Sequence, residues 1–278
     1  MSDYINFHER SLPFKVVVRT IINISVFLPL KIFIFFWNIS LKLIGNSVRV
    51  KETNKKTLLV FDDKHEIEIG YKKRFEFYMQ NISHRFEHLS YEYMFSLIDF
   101  NDEDKIIDCG ANVGEIYMTL KYLYSDLNFQ YFGFEPNKKD FEILQRNTNN
   151  LITRPLALYS EITKKEFFQK GNTADSSFES SMYSKKDIVD CVTVDSIFTN
   201  NKNIKLFKLE AEGFEYEVIK GAKRNLKYIE YISADLSFEL NNNTKSSFVE
   251  VNNYLLKNNF SLVDKNPRLV YLYKNNAL

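Results

Sequence analysis

The chain has 278 residues, 45% of them apolar and 26% charged, with 37 Lys and Arg against 36 Asp and Glu. A formal net charge of +1 gives no footprint for nucleic acid. The two cysteines, Cys109 and Cys191, stand in apolar surroundings with no second Cys or His at metal spacing, so they argue against a disulfide framework and for buried thiols in a reducing compartment.

Residues 1–50 differ from the rest. From Val16 to Ile44 the chain is mostly Ile, Phe, Leu and Val, with the single tryptophan at Trp37. The apolar core of this run, Ile21 to Trp37, is interrupted by Pro29 and Lys31. A central lysine costs about 2.5–3.5 kcal/mol on membrane insertion. Six basic residues (Arg10, Lys15, Arg19, Lys31, Lys42, Arg49) against Asp3 and Glu9 give this stretch a net charge of +4. Basic flanks around an apolar, Trp-bearing helix suit contact with an anionic membrane surface, with the protein cytoplasmic and held to the inner face through residues 1–50. The alternative is a hydrophobic helical pair packed on the catalytic domain or on a second protomer. A signal peptide fits poorly, because the apolar run is long and no small-residue cleavage site follows it.

Residues 51–100 read as a lead-in. Thr57–Phe61 and Glu66–Gly70 alternate as a hairpin around Asp62-Asp63-Lys64. From Arg74 to Phe100 the periodicity is helical, with Phe75, Phe86, Leu89, Tyr93, Met94 and Leu97 inward. His84 and His88 share a face there, but no third metal ligand stands out.

Residues 101–278 alternate strand and helix, which implies a parallel α/β sheet. The apolar strand Lys105-Ile106-Ile107-Asp108 runs into Cys109-Gly110-Ala111-Asn112-Val113-Gly114-Glu115, then a helix to Tyr124, then a strand, Phe129–Phe134. Gly110 and Gly114 are expected to let the backbone approach a ligand. Asn112 falls near the helix cap and Glu115 in the first turn. Glu135, 21 positions beyond Gly114, stands where a carboxylate meets a ribose diol. Asp108 beside the glycine corner repels a pyrophosphate by roughly 1 kcal/mol or more, and Asn112 replaces the middle glycine of a dinucleotide corner. Both features favour the cationic S-adenosylmethionine over NAD.

Pro136-Asn137 ends that strand. A helix is expected over Asp140–Asn149, with Phe141 and Leu144 inward, then a third strand over Ile152–Leu158. Lys165–Phe168 and Ile188–Val192 read as added strands flanking a polar loop, 175–181, either a lid or acceptor-binding segment or merely mobile. Ile204–Leu209 is the fourth strand. Glu210-Ala211-Glu212-Gly213-Phe214-Glu215 follows it, placing three carboxylates at the ligand-binding edge of the sheet. A short helix closes at Gly221. Tyr228–Asp235 is the fifth strand, and a helix over Ser247–Asn258 leads to a hairpin turning at Asn266-Pro267.

Four segments carry a family resemblance: Asp-Cys-Gly-Ala-Asn-Val-Gly (108–114), Phe-Glu-Pro-Asn (134–137), Val-Asp-Ser-Ile (194–197) and Lys-Leu-Glu-Ala-Glu-Gly-Phe-Glu-Tyr-Glu-Val-Ile-Lys-Gly-Ala (208–222). They resemble the FkbM-type S-adenosylmethionine-dependent methyltransferases over roughly residues 66–273. Glu210 stands where that family usually has Asp. The resemblance implies a Rossmann-like class I methyltransferase fold, an α/β seven-stranded, mostly parallel sheet with a reversed last strand, here following an N-terminal hydrophobic helical segment. It also implies O-methylation, commonly of a sugar hydroxyl or of a hydroxyl on a natural product. The expected organisation is a basic hydrophobic segment (1–50), a hairpin and helix (51–100) and a methyltransferase domain (101–278). Donor binding falls to Asp108, Gly110, Asn112, Gly114, Glu115, Glu135 and Asn137. Glu212, Glu210 and Asp235 are the candidate bases, and no metal is expected. The partners expected are the small-molecule methyl donor and a hydroxyl-bearing acceptor of saccharide type; self-association is left open. An NAD-type oxidoreductase and an inactive membrane-bound scaffold of the same fold are the competing readings.

Overall fold

The computed structural model describes residues 20–149, 151–169, 176–177, 185–199, 203–237 and 246–278. Two compact units divide the chain, Met1–Glu87 and His88–Leu278.

In the first unit, residues 20–25 are helical and a turn leads to Pro29, which caps helix α1 (Leu30–Leu43). Proline fixes φ and lacks an N–H, so it starts a new helix more readily than it continues an old one. The apolar run from Ile21 to Trp37 is therefore not one helix. Among the described residues no helix is long and apolar enough to cross a membrane. Strands β1 (Arg49–Glu52), β2 (Leu58–Phe61) and β3 (Glu66–Ile69) form an antiparallel sheet, with the expected hairpin as its second half. Phe33 and Trp37 of α1 pack on Phe75 with ring centroids 5.8 and 5.7 Å away. Asn38 exchanges two 2.8 Å hydrogen bonds with the Val50 backbone, which docks the helix on β1.

The continuous helix expected over 74–100 is broken. A 3-10 helix (Lys72–Tyr78), helix α2 (Ile82–Glu92) and a second 3-10 turn (Phe95–Leu97) replace it. Asn81 restarts the chain by accepting the His84 N–H on its side chain at 2.6 Å, and Met94 is left-handed at φ +57°. Phe75, Phe86, Leu89, Tyr93 and Met94 are buried as expected, whereas Leu97 is 46% exposed. The boundary between the two units falls within α2.

The second unit is built on a seven-stranded sheet. Its strands are β4 (Lys105–Cys109), β5 (Gln130–Phe134), β6 (Ile152–Arg154), β11 (Ile204–Leu209), β12 (Ile229–Asp235), β13 (Phe260–Lys265) and β14 (Val270–Asn275), in the order β13-β14-β12-β11-β4-β5-β6. Only β14, the last strand, is antiparallel to both its neighbours. This is a mixed α/β sheet, parallel from β12 through β6. Both faces are covered: Ile107, Phe207 and Ile232 lie in one buried cluster, and their strand neighbours Ile106, Leu206 and Tyr231 in another. The period of two in the strands thus feeds two cores. Helices α3 (Glu115–Leu123), α4 (Lys138–Asn147), α5 (Val194–Ile197), α6 (Glu215–Lys220) and α7 (Phe248–Lys257) complete the unit.

Three local expectations need correction. Pro155 divides the strand read over 152–158, so that β6 pairs with β5 while β7 (Ala157–Leu158) pairs with β10 (Lys185–Val192). The segments at 165–168 and 188–192 join β7, as β8 (Thr163–Gln169) and β10, in a separate sheet with β9 (Ser176–Ser177). On α4, Ile143 rather than Phe141 is buried beside Leu144. Apart from Ser176–Ser177, the loop at 175–181 lies outside the described residues.

Candidate active site

The corner after β4 is shaped by its own backbone. Gly110 and Gly114 sit at φ +72° and +90°. A Cβ on Gly110 would fall 2.3 Å from the carbonyl oxygen of Glu210, and one on Gly114 would fall 3.0 Å from Thr148 and 3.1 Å from Leu144. Their freedom therefore serves close packing of protein on protein at both positions. Helix α3 starts at Glu115, with Gly114 at its cap in place of Asn112. Asn112 is itself left-handed at φ +48°, and its side chain accepts the Val113 N–H at 2.9 Å.

Glu135, just past β5, is clamped from both sides. The Asn112 N–H donates to one of its carboxylate oxygens at 2.9 Å and the Asn137 N–H to the other at 2.7 Å. Asn137 caps α4 by accepting the N–H groups of Lys139 and Asp140 at 3.0 and 3.3 Å, while its own Nδ2, buried, has no hydrogen-bond partner among the described residues. Burial and then the Asp140 charge push the Glu135 carboxyl up to about 8, against the two backbone N–H groups that favour its ionised form.

Beneath the corner lies a residue that the sequence reading did not select. Lys208 on β11 registers with Asp108 on β4 and is buried. Its Nζ lies 3.2 Å from Asp108 Oδ1 and 3.1 Å from Glu210 Oε2, and it donates to the carbonyls of Cys109 and Gly110 at 3.1 and 2.9 Å. Burial disfavours the ammonium, but Asp108 and Glu210 outweigh it and hold Lys208 well above the usual lysine range. The Tyr131 hydroxyl donates to Asp108 Oδ2 at 2.6 Å. Asp108, fully buried, therefore faces Lys208 and Tyr131; its negative charge is neutralised within the fold and not left open to a cationic ligand.

The mouth beyond Lys208 is ringed by carboxylates. Glu210, 35% exposed at its side chain, accepts the Tyr93 hydroxyl at 2.8 Å. Burial raises its carboxyl, but Lys208, Tyr93 and Arg268 prevail and hold it below the usual range. Asp235, ending β12, is pushed up to about 6 by burial and by Glu210. Arg268 pairs with Glu92 and lies 3.7 Å from Asp235. Glu215 faces inward: it accepts the Ala211 and Gly213 N–H groups at 2.9 and 3.1 Å and the Ser247 hydroxyl at 2.7 Å, so the loop curls around it. Glu212 rides that loop at φ +50°. The structure thus brings Glu210 and Asp235 together and sets Glu215 apart as a loop organiser. His88 lies 3.3 Å from Glu92, and no group of three His, Cys, Asp or Glu among the described residues is arranged to hold a metal.

The glycine corner, Glu135 and Lys208 thus meet at the carboxyl edge of a mixed seven-stranded α/β sheet. Residues 108–262 match the Methyltransferase FkbM domain, more than half of the chain, and the chain belongs to this family. Among solved structures it is similar to a methyltransferase FkbM from Methylobacillus flagellatus KT, at 18% identity and TM-score 0.47, over 73% of this chain and 54% of that one. The chain thus spans about half the length of that protein. It is also similar to M. capricolum TrmK in complex with S-adenosyl-homocysteine (12% identity, TM-score 0.35, 69% and 68% covered). A third is the N-terminal domain of human METTL16 in complex with SAH (13%, TM-score 0.36, 71% and 70%). No curated protein sequence matches the chain.

Proposed function

We propose that the chain transfers a methyl group from S-adenosylmethionine to a hydroxyl of a saccharide. The observation that carries this reading is Glu135, held by two backbone N–H groups beside the Lys208-anchored corner of an FkbM family domain. The residues present fit the donor. An ionised carboxylate has about four acceptor sites, so Glu135 keeps acceptor capacity for a ribose diol after taking two N–H groups. The orphaned Nδ2 of Asn137 offers a buried donor next to it.

When bound, S-adenosylmethionine supplies a methyl group on a sulfonium, already activated for in-line displacement. The protein's part is then to place an acceptor oxygen about 3 Å from that methyl and to take its proton. Lys208 fixes the Cys109 and Gly110 carbonyls and so the path of the corner. Glu210, kept ionised by Lys208, accepts a hydrogen bond from the acceptor hydroxyl and orients it. Asp235, the more basic carboxylate, takes the proton. What favours a neutral hydroxyl acceptor over a nucleic acid is the sign of the mouth, where among the described residues Glu92, Glu210 and Asp235 face Arg268 and a buried Lys208 that is shared with Asp108.

Turnover of methyl-labelled S-adenosylmethionine on a saccharide panel tests this. Methyl transfer is expected, with kcat rising with pH through about 6 as Asp235 ionises. Asp235→Asn is expected to lower kcat roughly 10²–10⁴-fold and remove that limb, while Glu212→Gln stays within a fewfold. Loss with Glu212→Gln and not with Asp235→Asn would move the base to Glu212; no transfer to any saccharide would overturn the acceptor class.

A further inference from the structure

Helix α1 carries two apolar stripes. Phe33, Trp37 and Leu41, four apart, are buried against the first unit. Ile32, Phe35, Phe36, Ile39 and Leu43 follow the same helical spacing on another side and are exposed, Phe35 to 68% and Leu43 to 81%. A helix of a water-soluble domain carries polar side chains there, and a contiguous apolar stripe of this kind marks an interaction surface. The border of the stripe is basic. Lys31 and Lys42, eleven apart, share one edge of it, and with Arg49 and Lys51 of β1 they wall a shallow basin beside Phe35 and Ile39. Glu52 is the one acid lining that basin among the described residues.

We propose that this face of α1 docks in the plane of an anionic lipid bilayer, with the stripe below the headgroups and the Lys31, Lys42, Arg49 and Lys51 charges among them. Fourteen residues at 1.5 Å each span about 21 Å, short of the ~30 Å hydrocarbon core but suited to lying within its interface. Charge argues against a second copy as the occupant. An antiparallel two-fold contact of this face would set its basic border against itself, whereas anionic headgroups attract such residues by about 1 kcal/mol each.

The test is flotation of the full chain with phosphatidylcholine vesicles, with and without about one-third phosphatidylglycerol. Binding is expected with the anionic vesicles and to fall in high salt. Phe35→Ser/Ile39→Ser and Lys31→Glu/Lys42→Glu are each expected to lower partitioning roughly tenfold or more. All four residues are exposed and outside the methyl-transfer site, so affinity for S-adenosylhomocysteine should not change. The inference is overturned if the chain ignores both vesicles, if the variants float like the wild type, or if sedimentation equilibrium reveals a dimer that Phe35→Ser/Ile39→Ser splits, which would give the face to a second copy.

Discussion

Lys208 organises the site at the scale of single residues. A buried ammonium is retained only where carboxylates and carbonyls replace its water, and here Asp108, Glu210 and two carbonyl oxygens do so. Removing one partner of such a buried pair leaves a charge without compensation and costs about 3–5 kcal/mol. Lys208→Met should therefore lower unfolding stability by that order, and adding Asp108→Asn should recover part of the loss by removing one stranded carboxylate. Urea unfolding of the two single variants and the double variant measures the coupling. Strictly additive costs would mean that the two side chains do not act as a pair. Asp108, Glu135 and Glu210 were legible in the sequence because each ends a strand next to a glycine or a helix start. Lys208 was not, because apart from Glu210 its partners Asp108, Cys109 and Gly110 lie about a hundred residues away, and the register of β11 on β4 brings them together. Tyr131 escaped for the same reason, and Tyr93 and Arg268 because their partners Glu210, Glu92 and Asp235 are brought to them by the tertiary fold.

At the scale of elements, most strands could be read from apolar runs bounded by turn residues; Ile204–Leu209 is observed with the expected limits. What could not be read was set by single backbone events: Pro155 dividing a strand between two sheets, and Met94 in the left-handed region ending a helix that periodicity would continue. The glycine corner was visible, but the contact behind it was not, since the atom that forbids a side chain at Gly110 is the carbonyl of Glu210, just past β11 and a hundred residues along the chain. That contact allows a controlled comparison. Gly110 and Gly45 share φ +72°, yet a Cβ on Gly45 meets nothing within 4 Å. Gly45→Ala should cost about 1 kcal/mol of backbone strain, and Gly110→Ala roughly 3 kcal/mol or more, because overpacking adds to the strain. Chemical unfolding of both variants checks this, and equal costs would show that the Glu210 contact does not restrict the corner.

Across the whole molecule, the family match falls within the second unit, while the basic apolar helix belongs to the first. The corner is rich in carboxylates, and the fold gives each partners within the protein. Asp108 is taken up by Lys208 and Tyr131, so in the proposed function Glu135 is the carboxylate that would meet a ribose. The most direct test is calorimetric titration of S-adenosylhomocysteine, and separately of NAD, into the wild type and Glu135→Gln. Binding that uses the ionised carboxylate should release protons near pH 7 and tighten as pH rises toward about 8, then level off, because below that value part of the Glu135 population is protonated. Glu135→Gln should abolish this pH dependence and weaken binding about 10- to 100-fold, the loss of a charge-assisted hydrogen bond, with no heat from NAD in either protein. Binding of NAD but not of S-adenosylhomocysteine, or unchanged affinity in Glu135→Gln, would contradict the account.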